Sequence, residues 1–381
     1  MNITVPTALL RDMCRDAARA VPGKTALPIL EHLLISAHAG TEECTLSVSA
    51  SDQELAIRRT ADIDPKSISD PGEICVPADM LLPFLDVCPG ADIALRGDDN
   101  EVFVVSGQSN YRIMCLPPAD FPAIDEPTNE GSSLHVGTEE FIGTVQSVLY
   151  AVATEAARPM LQGVLFEVHP DQLQFAATDT HRLASASLNL SCTPTPGNFI
   201  VPSGSLKHVL AILPRADGAA VRIDATESSM HFRSNGLSVR VRLLAGQYPP
   251  WRKILPVSDP THLTVYVDAG VLEQSLKRAA ILAKSAGKRI DMAVGAGKCT
   301  IKAETSGKGS MVEDVEAEVI NAQEGFALGV SCGYMLDTCS VVDPSRRLRL
   351  EFESNIRPIL IKIEDFDGFV GILMPLQPDL L

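Results

Sequence analysis

With 381 residues, the chain is too long for one ordinary core and suits two or three domains. Hydrophobic residues make up 45% and charged residues 21%, a globular composition that excludes a disordered chain. Thirty-two basic side chains against 48 acidic ones give a formal net charge of −16, which speaks against a nucleic-acid partner if the charge is evenly spread.

No segment reaches eighteen uninterrupted apolar residues, and the start, MNITVPTALLRDMC, lacks a basic region followed by an apolar stretch. A cytoplasmic protein with no membrane partner is expected. The nine cysteines are odd in number, contain no CxxC pair and mostly sit in apolar runs such as RIMCLP and KCTIKA. That pattern predicts reduced, buried thiols.

The first predicted element is a helix in which Arg11, Arg15 and Arg19 recur every four residues, opposite Leu9, Met13 and Ala17. An alternating strand, CTLSV, then enters the turn SASDQEL (Ser49 to Leu55) and leaves it as a second strand, the form of a hairpin. GEICVPADMLLPFL reads as a strand, a cap and a short helix. After DFPAID, the stretch DEPTNEGSS around Pro127 marks a boundary.

The same order then returns. Phe141, Ile142, Val145, Val148, Leu149 and Val152 form a helical stripe, and the strand QLQFA enters AATDTHRL (Ala176 to Leu183), which places Asp179 127 positions after Asp52. GNFIVPSGSLKHVL repeats the strand, cap and helix, and QYPPWRKIL answers DFPAID, again 127 positions on from Phe121 to Tyr248. A second boundary falls near Pro256. The last third opens with a helix striped by Leu272, Leu276, Ala279, Ala280 and Ala283, continues through TIKAETSGKG and VEDVEAEV, and repeats the strand-and-helix unit in FALGVSCGYMLDTC.

Three tandem modules are therefore expected, at 1–128, 129–257 and 258–381. Each is an α+β unit with two helices on one face of an antiparallel sheet. The charge divides unevenly among them, with 9 basic and 20 acidic side chains in the first, 10 and 10 in the second, 13 and 18 in the third. Lys277, Arg278, Lys284 and Lys288 mark the third module's helix as the arginines mark the first. A solvated helix face with i, i+4 pairing to acids would also give one such stripe, but its return on an equivalent helix favours a shared role.

Asp179, His181 and Arg182 crowd four residues, the density of a catalytic or metal cluster. Asp52 holds the same position in a module without the His-Arg pair, so the aspartate is expected to cap the turn through its side chain. The eight histidines show no HxxxH or Cys-His spacing. No enzyme activity, cofactor or metal is expected.

LPILEHLLISA, VPADML, LPPADFPAID, RPMLQGVLFEV, ATDTHRLA, AGQYPPWRKILP, LKRAAILA and the late ILMPL resemble, in order and spacing, the bacterial sliding clamps, the beta subunits of DNA polymerase III. The resemblance covers essentially the whole chain. It implies a homodimer joined head to tail, first domain to third, in a closed ring around duplex DNA bound without regard to sequence. Twelve helices at about 9 Å spacing would leave a hole of about 24 Å, room for a duplex and a water layer. A ring also reconciles the acidic total with a DNA partner, since the basic stripes line the hole.

Carried over residue by residue, the resemblance makes Arg11, Arg15, Arg19, Lys24, Lys207, Lys277, Arg278 and Lys284 the channel residues. Phe84 and Cys88 would meet Ile281 and Leu282 of the second copy. A pocket for short linear peptides from DNA polymerase, the clamp loader and repair proteins would comprise Leu161, Thr178, His181, Arg182, Leu183, Pro249, Ile254, Tyr334, Leu360, Ile372, Met374, Pro375 and Leu376.

Several positions depart from the family. Asp79 and Ser203 stand where basic residues are frequent, Thr180 replaces a usual Gly, and Lys253 and Gly287 stand where an Arg and an aromatic residue are expected. The terminal Gln377-Pro378-Asp379-Leu380-Leu381 itself resembles the peptide that clamp partners insert. A clamp relative that serves as an interaction scaffold with a weakened DNA role is the alternative reading.

Overall fold

The structure, a computed structural model, describes residues 1–40, 43–124, 133–155, 157–190, 195–283, 288–295 and 297–376. Six α-helices lie in the described chain, α1 (Thr7–Ala17), α2 (Ala78–Val87), α3 (Thr138–Leu149), α4 (Ser203–Ile212), α5 (Ala269–Ala283) and α6 (Cys332–Ser340). They come two to a module, the second of each pair directly after a strand: Gly72–Pro77, Gly197–Pro202 and Ala327–Ser331. The strands pair antiparallel throughout, as the short hairpin connections require.

The chain separates into two compact units, one of 1–139 with 204–243 and one of 140–203 with 244–381. Neither is a single module, because the sheets cross module junctions. In the first unit an eight-stranded sheet joins Leu55–Asp62 of module one to Leu237–Arg242 of module two, with Leu55 opposite Val241 and Ala56 opposite Arg240. In the second, a nine-stranded sheet joins Arg182–Asn189 to Phe366–Leu373, with Leu183 opposite Ile372. A five-stranded sheet completes the first unit and a four-stranded sheet the second. The expectation of one sheet per module is corrected here. Local alternation identifies a strand but not its neighbour across a junction.

α1 buries Thr7, Leu10, Met13, Cys14 and Ala17. The buried stripe is thus centred on Leu10 rather than Leu9. The helix ends at Ala17, and Arg19 belongs to a following 3-10 turn (Ala18–Ala20). α5 likewise ends at Ala283, so Lys288 lies beyond it, while Lys284 falls outside the described residues. Its buried face, Leu272, Leu276, Ala279 and Ala283 with Ser275, packs into a core with Ile290, Ile301, Val330 and Leu350. The side chain of Arg15 bonds Asp86 Oδ1 at 2.7 Å and so ties α1 to α2.

Cys14, Cys75, Cys299, Cys332 and Cys339 are buried, and none of the cysteines among the described residues forms a disulfide. Burial pushes the Cys75 and Cys299 thiols up to about 12, so both stay protonated and unreactive at neutral pH. No helix among the described residues is long and apolar enough to cross a membrane.

Two modules carry a matched polar anchor on a sheet face. Asp224 accepts bonds from Ser133 Oγ (2.5 Å), Arg222 Nε and Arg233 Nη2. Burial works against its charge, but these three partners outweigh it and hold the carboxyl below its usual range. At the equivalent place in module three, Glu351 accepts from Ser258 Oγ (2.6 Å), with Arg349 Nε at 3.0 Å and Lys362 Nζ at 3.9 Å. Ser133 begins the first strand of module two and Ser258 precedes the first strand of module three, so each anchor fastens the chain where it enters a new module.

Candidate functional site

The turn at Asp179 is built by its own side chains. Asp179 Oδ1 accepts the amides of His181 and Arg182, each at 2.9 Å, and Thr178 Oγ1 accepts the Thr180 amide at 3.1 Å. Asp52 Oδ1 does the same for the amides of Glu54 and Leu55, at 2.9 and 2.6 Å, which agrees with a capping role for the aspartate. Gln53, Thr180 and Gly307, spaced at 127 residues, all take positive φ, at 75°, 79° and 72°. Only module three uses glycine there. A β-branched residue in this region is strained by roughly 1–3 kcal/mol, against roughly 0.5–1 kcal/mol for the greater freedom of glycine in the unfolded chain. Thr180→Gly is therefore expected to raise stability by about 1 kcal/mol, read as a higher urea midpoint at unchanged slope.

Arg182 is the centre of the site. Its Nε lies 3.0 Å from Asp179 Oδ2 and its Nη1 2.6 Å from Asp337 Oδ2. The guanidinium sits 4.2 Å from the Tyr334 ring centroid and 5.3 Å from that of Tyr150, while His181 stacks on Tyr334 at 6.3 Å. Burial pushes the Tyr150 phenol up to about 12 against the opposing Thr338 hydroxyl and Arg182 charge, so it stays neutral. Two carboxylates and two ring faces hold one cation, and every partner is structural. Among the described residues no group of His, Cys, Asp and Glu is placed to hold a metal ion.

On one side of this wall lies a hollow of about 520 Å³, lined by Thr178, Thr180, His181, Arg182, Leu183, Ile254, Ile372 and Met374. Leu183 and Ile372 reach it from paired strands, and behind them pack Leu165, Ala176, Ile200 and Trp251. On the other side a hollow of about 650 Å³ is lined by His181, Arg182, Tyr334, Asp337 and Leu376. Leu376 is fixed there by its amide on the Gly329 carbonyl at 2.8 Å, and Met374 by its amide on the His181 carbonyl at 2.9 Å.

Nine of the thirteen pocket residues expected from the sequence are thus brought together around Arg182. Four are not. Leu161 is buried in a 3-10 turn and Leu360 in the strand Ile359–Ile363, both behind the wall rather than in it. Pro249 lines a separate hollow with Glu167 and Trp251, and Pro375 lines neither of the two described above. Lys253, noted as a departure from the family, lines the first hollow as well; the sequence reading missed Leu255, Pro256, Glu353, Ile356, Arg357 and Pro358 on the rim, and Tyr150 and Asp337 beside Arg182. The rim residues sit in irregular connections without periodicity. Gly287 and Gln377–Leu381 lie outside the described residues.

The basic candidates are more constrained than their spacing suggests. Arg15 pairs with Asp86, Lys277 with Glu273 at 2.9 Å, and Arg278 with both carboxylate oxygens of Glu313 through Nε and Nη2. Arg11 is half-buried beside Asp12, and Arg19, Lys24 and Lys207 are exposed. Of the interface candidates, Ile281 is 75% exposed, and Phe84 stacks on Tyr111 at 5.0 Å. Cys88 and Leu282 are half-buried.

The chain resembles curated beta sliding clamps along its full length. That of Caulobacter vibrioides is 27% identical, covering 99% of this chain and 100% of the relative, and that of Staphylococcus aureus is 25% identical over 99% of each. Among solved structures, the DNA polymerase sliding clamp of Bacillus subtilis matches with a TM-score of 0.91 at 24% identity over 99% of each chain. That of Pseudomonas aeruginosa matches at 0.90 and 24%, covering 99% and 100%. Sequence profiles of the DNA polymerase III beta subunit match in order, the N-terminal domain at residues 1–125, the central domain at 135–250 and the C-terminal domain at 252–377. With three clamp domains so matched and folded, the chain belongs to the family of DNA polymerase III beta subunits, the non-catalytic sliding clamps.

Proposed function

We propose that two copies of this chain close head to tail around duplex DNA in the cytoplasm and hold the replicative polymerase there, with domains at 1–128, 129–257 and 258–381. The observation that carries this reading is a regularity of strand pairing. Leu55–Asp62, Arg182–Asn189 and Gly309–Glu316 are equivalent strands, opening at intervals of 127 residues. The first pairs with Leu237–Arg242 of module two and the second with Phe366–Leu373 of module three. Among the described residues the third has no partner on its open edge. Neither does Ser109–Met114, which occupies in module one the place of Leu237–Arg242 and Phe366–Leu373.

Each chain therefore carries one edge of each kind, and two copies satisfy both by a two-fold, closed contact. Exposed Tyr111 and Met114 on one edge, with Val312 on the other and Ile281 on α5, the helix that packs against that strand, supply apolar surface for that contact. Phe84 and Cys88 would face Ile281 and Leu282 across it.

In the closed ring the basic residues Arg11, Arg15, Arg19, Lys24, Lys207, Lys277, Arg278 and Lys284 would face phosphate across water. The ion pairs of Arg15, Lys277 and Arg278 weaken that grip, which suits sliding. The two hollows around Arg182 would take short peptides from the polymerase, clamp loader and repair proteins, apolar side chains on Leu183 and Ile372 and polar groups at the rim. Protein loaded on nicked circular DNA is expected to co-elute with it in gel filtration and to be lost after linearisation. If about four phosphates are neutralised at once, log K should fall with log salt at a slope near −3.6. Equal retention on circular and linear DNA overturns the ring and favours the scaffold reading.

A further inference from the structure

The strand pairing that forms the second module junction has an equivalent at the first, and the side chains it presents there are opposite in chemistry. Leu55 and Ala56 pair with Val241 and Arg240 as Arg182 and Leu183 pair with Leu373 and Ile372. The Arg242 amide donates to the Glu54 carbonyl at 2.7 Å as the Met374 amide donates to that of His181 at 2.9 Å. Ser51 Oγ accepts the Gln53 amide as Thr178 Oγ1 accepts that of Thr180. Arg240 therefore stands for Ile372, Arg242 for Met374 and Ala56 for Leu183.

From this correspondence we propose that the outer face of the first junction is a second docking surface, for an acidic peptide with carboxylates at alternate positions. Arg240 and Arg242 share a strand face with Arg58, Arg222 and Arg233, through the pairings Arg58–Ser238, Arg233–Ser238 and Arg222–Arg233. Two acids stand by this row: Asp224, already committed to Arg222 and Arg233, and exposed Glu54 opposite Arg242. Of these five arginines Arg58 comes from module one, the most acidic third of the chain, and the other four from module two, where acids and bases balance.

Arg240 Nε is buried and has no hydrogen-bond partner, a donor withdrawn from water without compensation. A carboxylate laid against it would restore the missing bond. Residues i and i+2 of a strand stand about 6.6 Å apart on one face, so Arg240 and Arg242 match alternate carboxylates of an extended peptide in spacing and sign. Beside them a hollow of about 430 Å³, lined by Arg58, Thr60, Arg233, Asn235 and Ser238, gives such a peptide room to continue. Single-stranded nucleic acid would seek aromatic platforms, and this row of arginines and serines offers none. The analogy rests on reading the second junction as a peptide site, while the charge and the uncompensated donor belong to the first junction alone.

The test is fluorescence anisotropy on the full chain in low-salt buffer, with a short labelled peptide alternating glutamate and serine and, separately, an apolar peptide fitted to the Leu183/Ile372 hollow. The acidic peptide is expected to bind, and Arg240→Glu with Arg242→Glu to weaken it by about tenfold or more while leaving the apolar peptide unaffected. Arg240→Gln with Arg242→Gln, which avoids new repulsion, should give an intermediate loss at an unchanged melting temperature. Met374→Ser should do the reverse, weakening only the apolar peptide. No binding of the acidic peptide, or equal binding to both arginine variants and the parent, overturns the proposal. Displacement of the acidic peptide by oligothymidylate at lower concentration than by unlabelled peptide also overturns it, in favour of nucleic acid. Failure of the apolar peptide alone would count against the second-junction reading instead.

Discussion

Ile281→Asp is expected to leave each chain folded and to separate the dimer. The side chain is 75% exposed in the single chain, so a carboxylate there costs the fold almost nothing. In the proposed dimer the same position lies against apolar residues of the second copy, where an unpaired charge is desolvated without compensation. A loss of about 3 kcal/mol, on the order of a hundredfold in dissociation constant, follows for such a central apolar position. Analytical ultracentrifugation across a dilution series reads the dissociation constant, and the urea midpoint at a concentration where the parent is already monomeric reads the fold. Retention on circular DNA should be lost in parallel. A dimer of unchanged strength would mean that the edges Ser109–Met114 and Gly309–Glu316 do not meet.

Glu351→Ala is expected to lower stability strongly for a single polar substitution. The carboxylate is 2% exposed and faces Arg349, Lys362 and the Ser258 hydroxyl. Its removal leaves two cations side by side over a buried gap and frees the segment that enters module three. Breaking a buried pair typically costs roughly 3–5 kcal/mol, and because both bases still reach solvent the lower end, about 3 kcal/mol, is expected here. Glu351→Gln keeps an acceptor for Ser258 and should cost about half as much. Urea denaturation of both variants checks the order. If alanine proves the milder of the two, the bond accepted from Ser258 is not what holds the segment entering module three.

The period of 127 residues was legible because it recurs in short polar turns, where one aspartate must bond two specific amides and few residues can do so. Asp52 and Asp179 are identical for that reason. The strand-and-helix units were legible through local alternation and caps. What alternation does not encode is a strand's neighbour beyond its own hairpin. Hence the fusion of modules into shared sheets was missed, and with it the correspondence of Arg240 with Ile372, although LSVRVR is visibly a strand. Arg15 looked free in sequence and is paired with Asp86, seventy-one positions away, because α1 and α2 pack together only after folding. Leu161 and Leu360 carried the apolar character of a pocket residue, yet core and pocket wall select the same side chains, and Leu183, which lines the hollow, is as buried as they are.

Sheets that cross module junctions also set a timetable for synthesis. Arg182–Asn189 must wait for Phe366–Leu373 before its open edge is covered. At ~5–20 residues added per second, that strand stands unpaired for roughly ten to forty seconds while the rest of the chain emerges from the ribosome. Leu55–Asp62 waits in the same way for Leu237–Arg242, and in the proposed dimer Gly309–Glu316 would wait for a separate molecule altogether. That last edge carries Glu313, Asp314 and Glu316, whose charges discourage association only until folding sets Arg278 against Glu313 and Lys298 against Asp314. A clamp assembled in the proposed way would thus be shielded on the ribosome by the charge of its final edge only until its own module has packed.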